Sequence, residues 1–342
     1  MGKILSIIIP TYNMEEYLGR CLDSLTSAKG VDSLDIVVVN DGSKDNSLAI
    51  ANDYKSKFSQ SIVVVDKPNG NYGSTINAAL PIVKGKYVKI LDADDWFDTN
   101  ALDTFVDKLK NVDVDMILTD FTLRYATGEK ANRTFGYLAI DKICDLSVLV
   151  NNFYKCKGFG MHALTYRASI LVDNNYRQTE GISYTDQEWI FYPMLYVNTF
   201  VYFDINLYQY FMGRPGQTMS PEVIVKSMHH SGVILERMIS SRVLEDNQGL
   251  AQNDFMRLLF CKYLSHTIHL QKLKTIPDWV YAIEKQIVSG DYDYTNKLVE
   301  DYTVGQIIKW KPLKYFIKHK RKHPVFIKYF ILVQLYIERK VI

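Results

Sequence analysis

The sequence predicts an α/β protein: a doubly wound, mostly parallel sheet with an appended C-terminal helical subdomain. Three observations carry this. Short β-branched runs alternate with helical stretches over the first 120 residues, the pattern of βαβ units. Those runs are apolar throughout (Ile-Val-Val-Val twice), as in strands covered by helices on both faces. From Glu222 onward the chain reads as helices alone. A length of 342 residues fits about two domains at roughly 150 residues each.

The elements follow in order. Leu5–Pro10 opens the chain as a buried strand; its apolar run is short and broken by Ser6, so no signal peptide is expected. Strands are expected at Asp35–Asn40, Ser61–Asp66, Tyr87–Leu91 and Asp115–Thr119. Helices lie between them at Met14–Ala28, Lys44–Lys57, Ser74–Val83 and Asn100–Lys110. Right-handed crossovers then give an open sheet. Phe121–Tyr125 and Ala131–Phe135 can pair as a hairpin around Thr127-Gly128. Helical segments follow near Leu146–Phe153, Ala168–Val172 and Thr185–Tyr196, then a strand at Phe200–Phe211. Gly213–Pro221, with two prolines and two glycines, reads as a linker. Helices are expected over 222–245, 252–273, 277–289 and 294–301. The expected division is 1–125, 126–220 and 221–342.

Composition narrows the class. With 47% hydrophobic and 23% charged residues, disorder and fibrous structure are excluded. Cys21, Cys144, Cys156 and Cys261 are too scattered for a disulfide framework or a zinc site, and fit a reducing compartment. No run of about 18 apolar residues occurs, so no transmembrane helix is expected. The net charge of +2 hides an asymmetry: ten Lys or Arg and one Glu lie between Lys309 and Ile342. Aromatic residues interleave with these charges, which suits an anionic membrane surface; a solvated helix face is the plainer alternative. No nucleic-acid module accompanies the charge.

Polar residues collect at the carboxyl ends of the first four strands, where open α/β sheets bind ligands. They are Thr11-Tyr12-Asn13, Asn40-Asp41-Gly42-Ser43, Lys67-Pro68-Asn69-Gly70 and Asp92-Ala93-Asp94-Asp95. Any one of them makes an ordinary turn. In a continuing strand, Asp92 and Asp94 would point to one face. Paired carboxylates suit a hard divalent cation that takes its other ligands from phosphates and water.

The ordered motifs Ile-Ile-Ile-Pro-Thr-Tyr-Asn, Val-Val-Val-Asn-Asp-Gly-Ser-Lys-Asp and Lys-Ile-Leu-Asp-Ala-Asp-Asp resemble the family 2 glycosyltransferases, with their GT-A fold. The resemblance covers about residues 4–125 strongly and 126–212 more weakly. It implies an inverting transfer of a sugar from a UDP-sugar to a hydroxyl acceptor, with Mn²⁺ or Mg²⁺. By the same resemblance, Pro10, Thr11 and Tyr12 hold the uracil and ribose, Asp41 bonds the uracil, and Asp92 reaches the ribose. Asp94 ligates the metal beside the diphosphate, with Asp92 next to it. Asn69, Gly73 and Asn77 lie under the nucleotide. Ile76 stands where the family often has an arginine, so Lys67 is the expected substitute for that contact.

The family places its catalytic base on an acidic motif at a helix start, matched here by Tyr184-Thr185-Asp186-Gln187-Glu188-Trp189. Asp186 is the expected base and Glu188 its rival. As plain structure, Asp186 is an acid favoured by the helix macrodipole. Trp96 and Trp189 are candidates to line the acceptor cleft, although Trp189, Tyr192 and Tyr196 also recur at core-helix spacing. His162 is a candidate metal or phosphate contact.

The implied setting is bacterial: a cell-surface polysaccharide, teichoic acid or glycolipid. The expected location is cytoplasmic, with residues 309–342 holding the protein to the inner face of the membrane. Two other readings compete. A non-catalytic adapter of the same fold would bind the nucleotide without turnover. A sugar nucleotidyltransferase would need a basic, Gly-rich loop after the first strand, which Pro10-Thr11-Tyr12-Asn13 does not supply.

Overall fold

The computed structural model describes residues 2–155, 158–214, 216–217 and 221–240, with isolated positions between 251 and 263. The chain divides into two compact units, Met1–Gln217 and Thr218–Ile342.

The first unit is built on one 10-stranded sheet. Four strands form its parallel part: β1 (Leu5–Thr11), β2 (Leu34–Asp41), β3 (Ile62–Lys67) and β4 (Tyr87–Ile90). Every residue of β1, β2 and β4 is buried, which is why their sequences run apolar without alternation. Between them lie α1 (Leu18–Thr26), α2 (Ser47–Lys57) and α3 (Asn71–Ala79). On α1, Leu18, Cys21, Leu22 and Leu25 recur at one-face spacing and are buried.

The rest of the sheet is mixed. It comprises β5 (Trp96–Phe97), β6 (Met116–Tyr125), β7 (Lys130–Arg133), β8 (Ile143–Asp145), β9 (Leu164–Arg167) and β10 (Thr199–Met212). The helices α4 (Thr99–Leu109), α5 (Ser147–Asn151), α6 (Ala168–Val172) and α7 (Asp186–Phe191) connect them. Strand order is β3-β2-β1-β4-β9-β6-β10-β5, with β7 on β6 and β8 on β10. The expected hairpin forms between β6 and β7. The two runs expected at 115–119 and 121–125 are one continuous strand, β6.

Strand direction decides which ends meet. β9 runs antiparallel to both β4 and β6, so β6 and its parallel partner β10 point the same way as β1 to β4. One edge of the sheet therefore gathers the carboxyl ends of β1–β4, β6 and β10 and the amino ends of β9 and β5.

Two expectations on elements are corrected. The helix expected over Thr185–Tyr196 stops at Phe191 and continues as a 3-10 turn, Tyr192–Tyr196. Pro193 cannot donate the hydrogen bond that would extend it. The strand expected through Leu91 ends at Ile90, and residues 92–95 form a turn closed by Asp95 N–H on the Asp92 carbonyl at 2.9 Å.

The middle of β10 is bulged. It spends five steps, Phe203 to Tyr208, where β6 spends two, Thr119 to Phe121. An odd number of extra residues reverses the alternation. Tyr208 and Tyr210 thus share the face of Phe121 and Leu123.

In the second unit, α8 (Pro221–Ser240) is helical as expected. The helices expected beyond it and the basic segment 309–342 lie outside the described residues, apart from the isolated positions. No helix among the described residues is long and apolar enough to cross a membrane.

Candidate active site

At the ends of β1 and β2, Pro10 and Thr11 are buried within β1 and Tyr12 projects beyond it, 46% exposed. Asp41 is buried and accepts from Lys67 Nζ at 2.7 Å and from the Gly70 N–H at 2.9 Å. The Asn69 side chain donates to the Asp41 carbonyl at 3.0 Å. Lys67 also donates to the Pro68 carbonyl (2.6 Å) and Ser74 Oγ (2.9 Å). An ammonium has three donors, and all are used. Lys67 therefore braces Asp41 in this structure.

Gly73 and Asn77 both meet the 178–180 segment. A Cβ on Gly73 would sit 2.1 Å from the Thr179 carbonyl oxygen, so α3 meets the 178–180 segment with no room for any side chain. Asn77 donates to the Gln178 carbonyl (2.9 Å) and Glu180 (2.8 Å) and accepts from the Gln178 N–H (2.8 Å). Both residues fasten α3 to the approach to α7.

The turn after β4 gives each aspartate a different partner. Asp92 accepts from the Tyr72 hydroxyl at 2.8 Å. Asp94 is ion-paired with Arg214 Nε, and its carbonyl accepts from Arg20 Nη2 at 2.7 Å. Asp95, fully buried, accepts from the Tyr208 hydroxyl (2.6 Å) and the Phe211 N–H (2.7 Å). Tyr208 takes a hydrogen bond from the Asp92 N–H in turn, at 3.1 Å. Burial, and then the charge of Asp94, push the Asp92 carboxyl up to about 7. The same two causes, followed by Asp92, hold Asp95 well above its ordinary value.

His162 completes this corner. It lies in the 3-10 turn Met161–Ala163 just before β9, whose reversed direction brings its amino end to the site edge. The imidazole stacks on Tyr210 (4.2 Å between centroids) and Phe121 (5.2 Å). Burial first, and the Lys89 charge second, lower it to about 3, so the ring is neutral. Oxygens of Asp92 and Asp95 and a nitrogen of His162 all lie within 4.8 Å of one another. Behind His162, the buried Lys89 donates to the carbonyls of His162 (2.8 Å) and Leu164 (3.1 Å). Desolvation brings Lys89 down to about 7.

Asp186 opens α7 and accepts from Gln187 Nε2 at 2.9 Å. Burial raises it to about 6 against the pull of its hydrogen bonds. Its charge is felt by Asp92 and Tyr72, so it lies near the acidic turn. Glu188 does not share that position. It is fully buried and accepts from the Thr179 N–H (2.6 Å) and hydroxyl (2.7 Å), a support for the segment before α7. Trp189 is also fully buried, edge-on to Tyr166 and Tyr176, and lines no cleft. Trp96 is at the site edge, but the Arg20 guanidinium covers one face of its ring at 4.0 Å.

Comparison with known proteins now adds the family. Residues 6–164 match the description "Glycosyl transferase family 2". This stretch is a family 2 glycosyltransferase domain. The uncharacterized glycosyltransferase MG025 homolog of Mycoplasma pneumoniae is 40% identical over 101 residues, 29% of this chain and 33% of its own. The poly(ribitol-phosphate) beta-glucosyltransferase of Bacillus spizizenii is 39% identical over 101 residues, 29% of this chain and 16% of its own. The chain thus spans a third or less of the length of these relatives. The structure of S. aureus TarS 1-349 with UDP-GlcNAc superposes with a TM-score of 0.65 at 19% identity, covering 93% of this chain and 88% of that one. That likeness fixes the GT-A fold of the domain.

Four residues of the site were not singled out from the sequence: Tyr72, Lys89, Tyr208 and Arg214. Lys89 carried one legible signal, a charge in the middle of an otherwise apolar strand.

Proposed function

We propose that this family 2 glycosyltransferase domain moves a sugar from a UDP-sugar to a hydroxyl acceptor with inversion, and that Asp186 is its base. The observation that carries the reading is the half-buried Asp186 carboxylate at the start of α7, raised to about 6 and close enough to the acidic turn for its charge to act on Asp92. A base poised near neutrality is suited to take the proton from an attacking hydroxyl. The acceptor oxygen then bonds to the anomeric carbon, the bond from that carbon to the diphosphate breaks, and Asp186 holds the proton. Asp41, with its Lys67 and Gly70 braces, offers the base-recognition position beside the exposed Tyr12 ring.

The donor set of the turn fits a divalent cation. Asp92 accepts a hydrogen bond from the neutral Tyr72 hydroxyl and is destabilised by Asp94 more than the Arg214 charge relieves it; a neutral imidazole stands beside it. Asp94, with Asp92 next to it, would hold the ion by the family resemblance, and Asp95 and His162 bring ligand atoms within 4.8 Å of Asp92. When bound, such an ion neutralises charge on the departing diphosphate.

TarS binds UDP-GlcNAc, and the Bacillus relative is named for poly(ribitol-phosphate). By analogy we assign this chain a UDP-sugar donor and a polysaccharide, teichoic-acid or glycolipid acceptor at the cell surface. The test is UDP release from a panel of UDP-sugars with Mn²⁺. Asp94→Ala should remove metal-dependent UDP binding. If the wild-type chain binds no nucleotide-sugar, the reading is wrong. The 309–342 segment is assigned to an anionic membrane surface; liposome co-sedimentation should weaken in a chain ending at 308 while UDP binding is unchanged.

A further inference from the structure

Asp94 differs from its neighbours in the turn because a cation of the chain's own already sits on it. Arg214 Nε meets its Oδ2, with the two side chains only 15% and 9% exposed. This arginine comes from the loop after β10, 120 residues away in sequence. Its guanidinium also lies over the Tyr17 ring at 5.6 Å. The loop closes on itself: Gln217 Oε1 accepts from the Gly213 N–H at 2.9 Å, and its Nε2 donates to the Phe211 carbonyl at 2.7 Å. Gly213 takes a φ of +94°, which glycine alone adopts at little cost. Arg214 therefore sits in a short loop beyond the end of β10, tied back to that strand through Gln217.

The guanidinium takes Oδ2 of Asp94, and a divalent ion brought to the same carboxylate would be repelled by it at close range. We propose that Arg214 is the resting counter-ion of Asp94, and that a divalent ion reaches Asp94 only by displacing it. The displaced guanidinium then passes to a diphosphate, whose oxygens match its planar fork. Cation and nucleotide consequently bind as partners: each removes an obstacle to the other, and the coupling is equal in both directions. This rests on the reading above that the turn holds a divalent cation.

The experiment measures Mn²⁺ binding to the full chain by the EPR signal of free Mn²⁺, with and without UDP, for wild type, Arg214→Gln, Arg214→Lys and Asp94→Asn. Circular dichroism confirms that each variant is folded; Arg214→Met replaces any Gln variant that is not. The expected result is that removing the charge tightens Mn²⁺ binding in the absence of UDP by about 5–150-fold, the usual range of site coupling. Arg214→Lys, which keeps a charge, should stay near wild type. UDP should tighten Mn²⁺ binding strongly in wild type and much less in Arg214→Gln. Equal or weaker Mn²⁺ binding by Arg214→Gln alone, with Mn²⁺–UDP still bound, overturns the counter-ion role and leaves the cation reading standing. No Mn²⁺ binding by any variant, even with UDP, overturns both.

Discussion

The two halves of the sheet supply the site in different ways. Along β1 to β3 the polar residues sit at or just past the strand ends, and their partners are near in sequence or on the next strand. Lys67, Asn69, Gly70 and Asp41 form one local knot. In the turn after β4 and in the mixed half, each site residue depends on a distant segment. Asp95 is held by Tyr208 and Phe211, Asp94 by Arg214, and His162 by Lys89. The parallel half shows that regular strands place side chains by counting. The mixed half shows that a reversed strand and a bulge place them by pairing.

The largest effect expected is in the mixed half. Asp186→Asn should lower transfer by about 10²–10⁴-fold while UDP binding is retained. For the wild type, transfer should fall as pH drops through about 6, because protonated Asp186 cannot accept a proton. A flat pH profile from 5 to 8 would remove Asp186 from its role. Trp189→Ala should cost roughly 3–5 kcal/mol in denaturant unfolding, because a fully buried indole leaves a cavity.

A smaller change tests whether pairing fixes the turn. Tyr208→Phe removes the hydroxyl that donates to Asp95 and accepts from the Asp92 N–H. It should cost about 1–3 kcal/mol and also weaken Mn²⁺ binding, because a buried carboxylate loses its donor. Loss of stability with Mn²⁺ binding intact would mean that the turn holds its own shape. The smallest effect belongs to the parallel half. Asn69→Ala deletes a single side-chain bond to the Asp41 carbonyl and should cost about 0.5–1.5 kcal/mol, read as a shift in Tm. A larger loss there would erase the distinction between the halves.

The same distinction explains what could be read in advance. Strands β1, β2 and β4 were legible because burial on both faces leaves an unbroken apolar signature, and α1 because its apolar residues recur on one face. The aspartates of the turn and Asp186 were legible as motifs. Trp189 was ambiguous, since helical spacing suits either a core or a cleft, and the core holds it. Glu188 and Asn77 looked available in one dimension; their partners at Thr179 and Gln178 depend on how α3 meets the segment before α7. Tyr208 was hidden by the bulge, which puts it on the face that simple alternation denies it. Arg214 was hidden by its setting, a Gly- and Pro-containing stretch that reads as a connector.

The bulge in β10 sets a rule about chain length. Because the far end of that strand is oriented by an odd surplus of residues, the number between Phe203 and Tyr208 matters more than their identity. Deleting Ile205 would turn Tyr208 and Tyr210 away from the aspartates and from His162, although every named side chain would still be present. Two added residues would preserve the orientation. Divergent copies of this domain can therefore exchange side chains along the segment, but they can lengthen or shorten it only in steps of two.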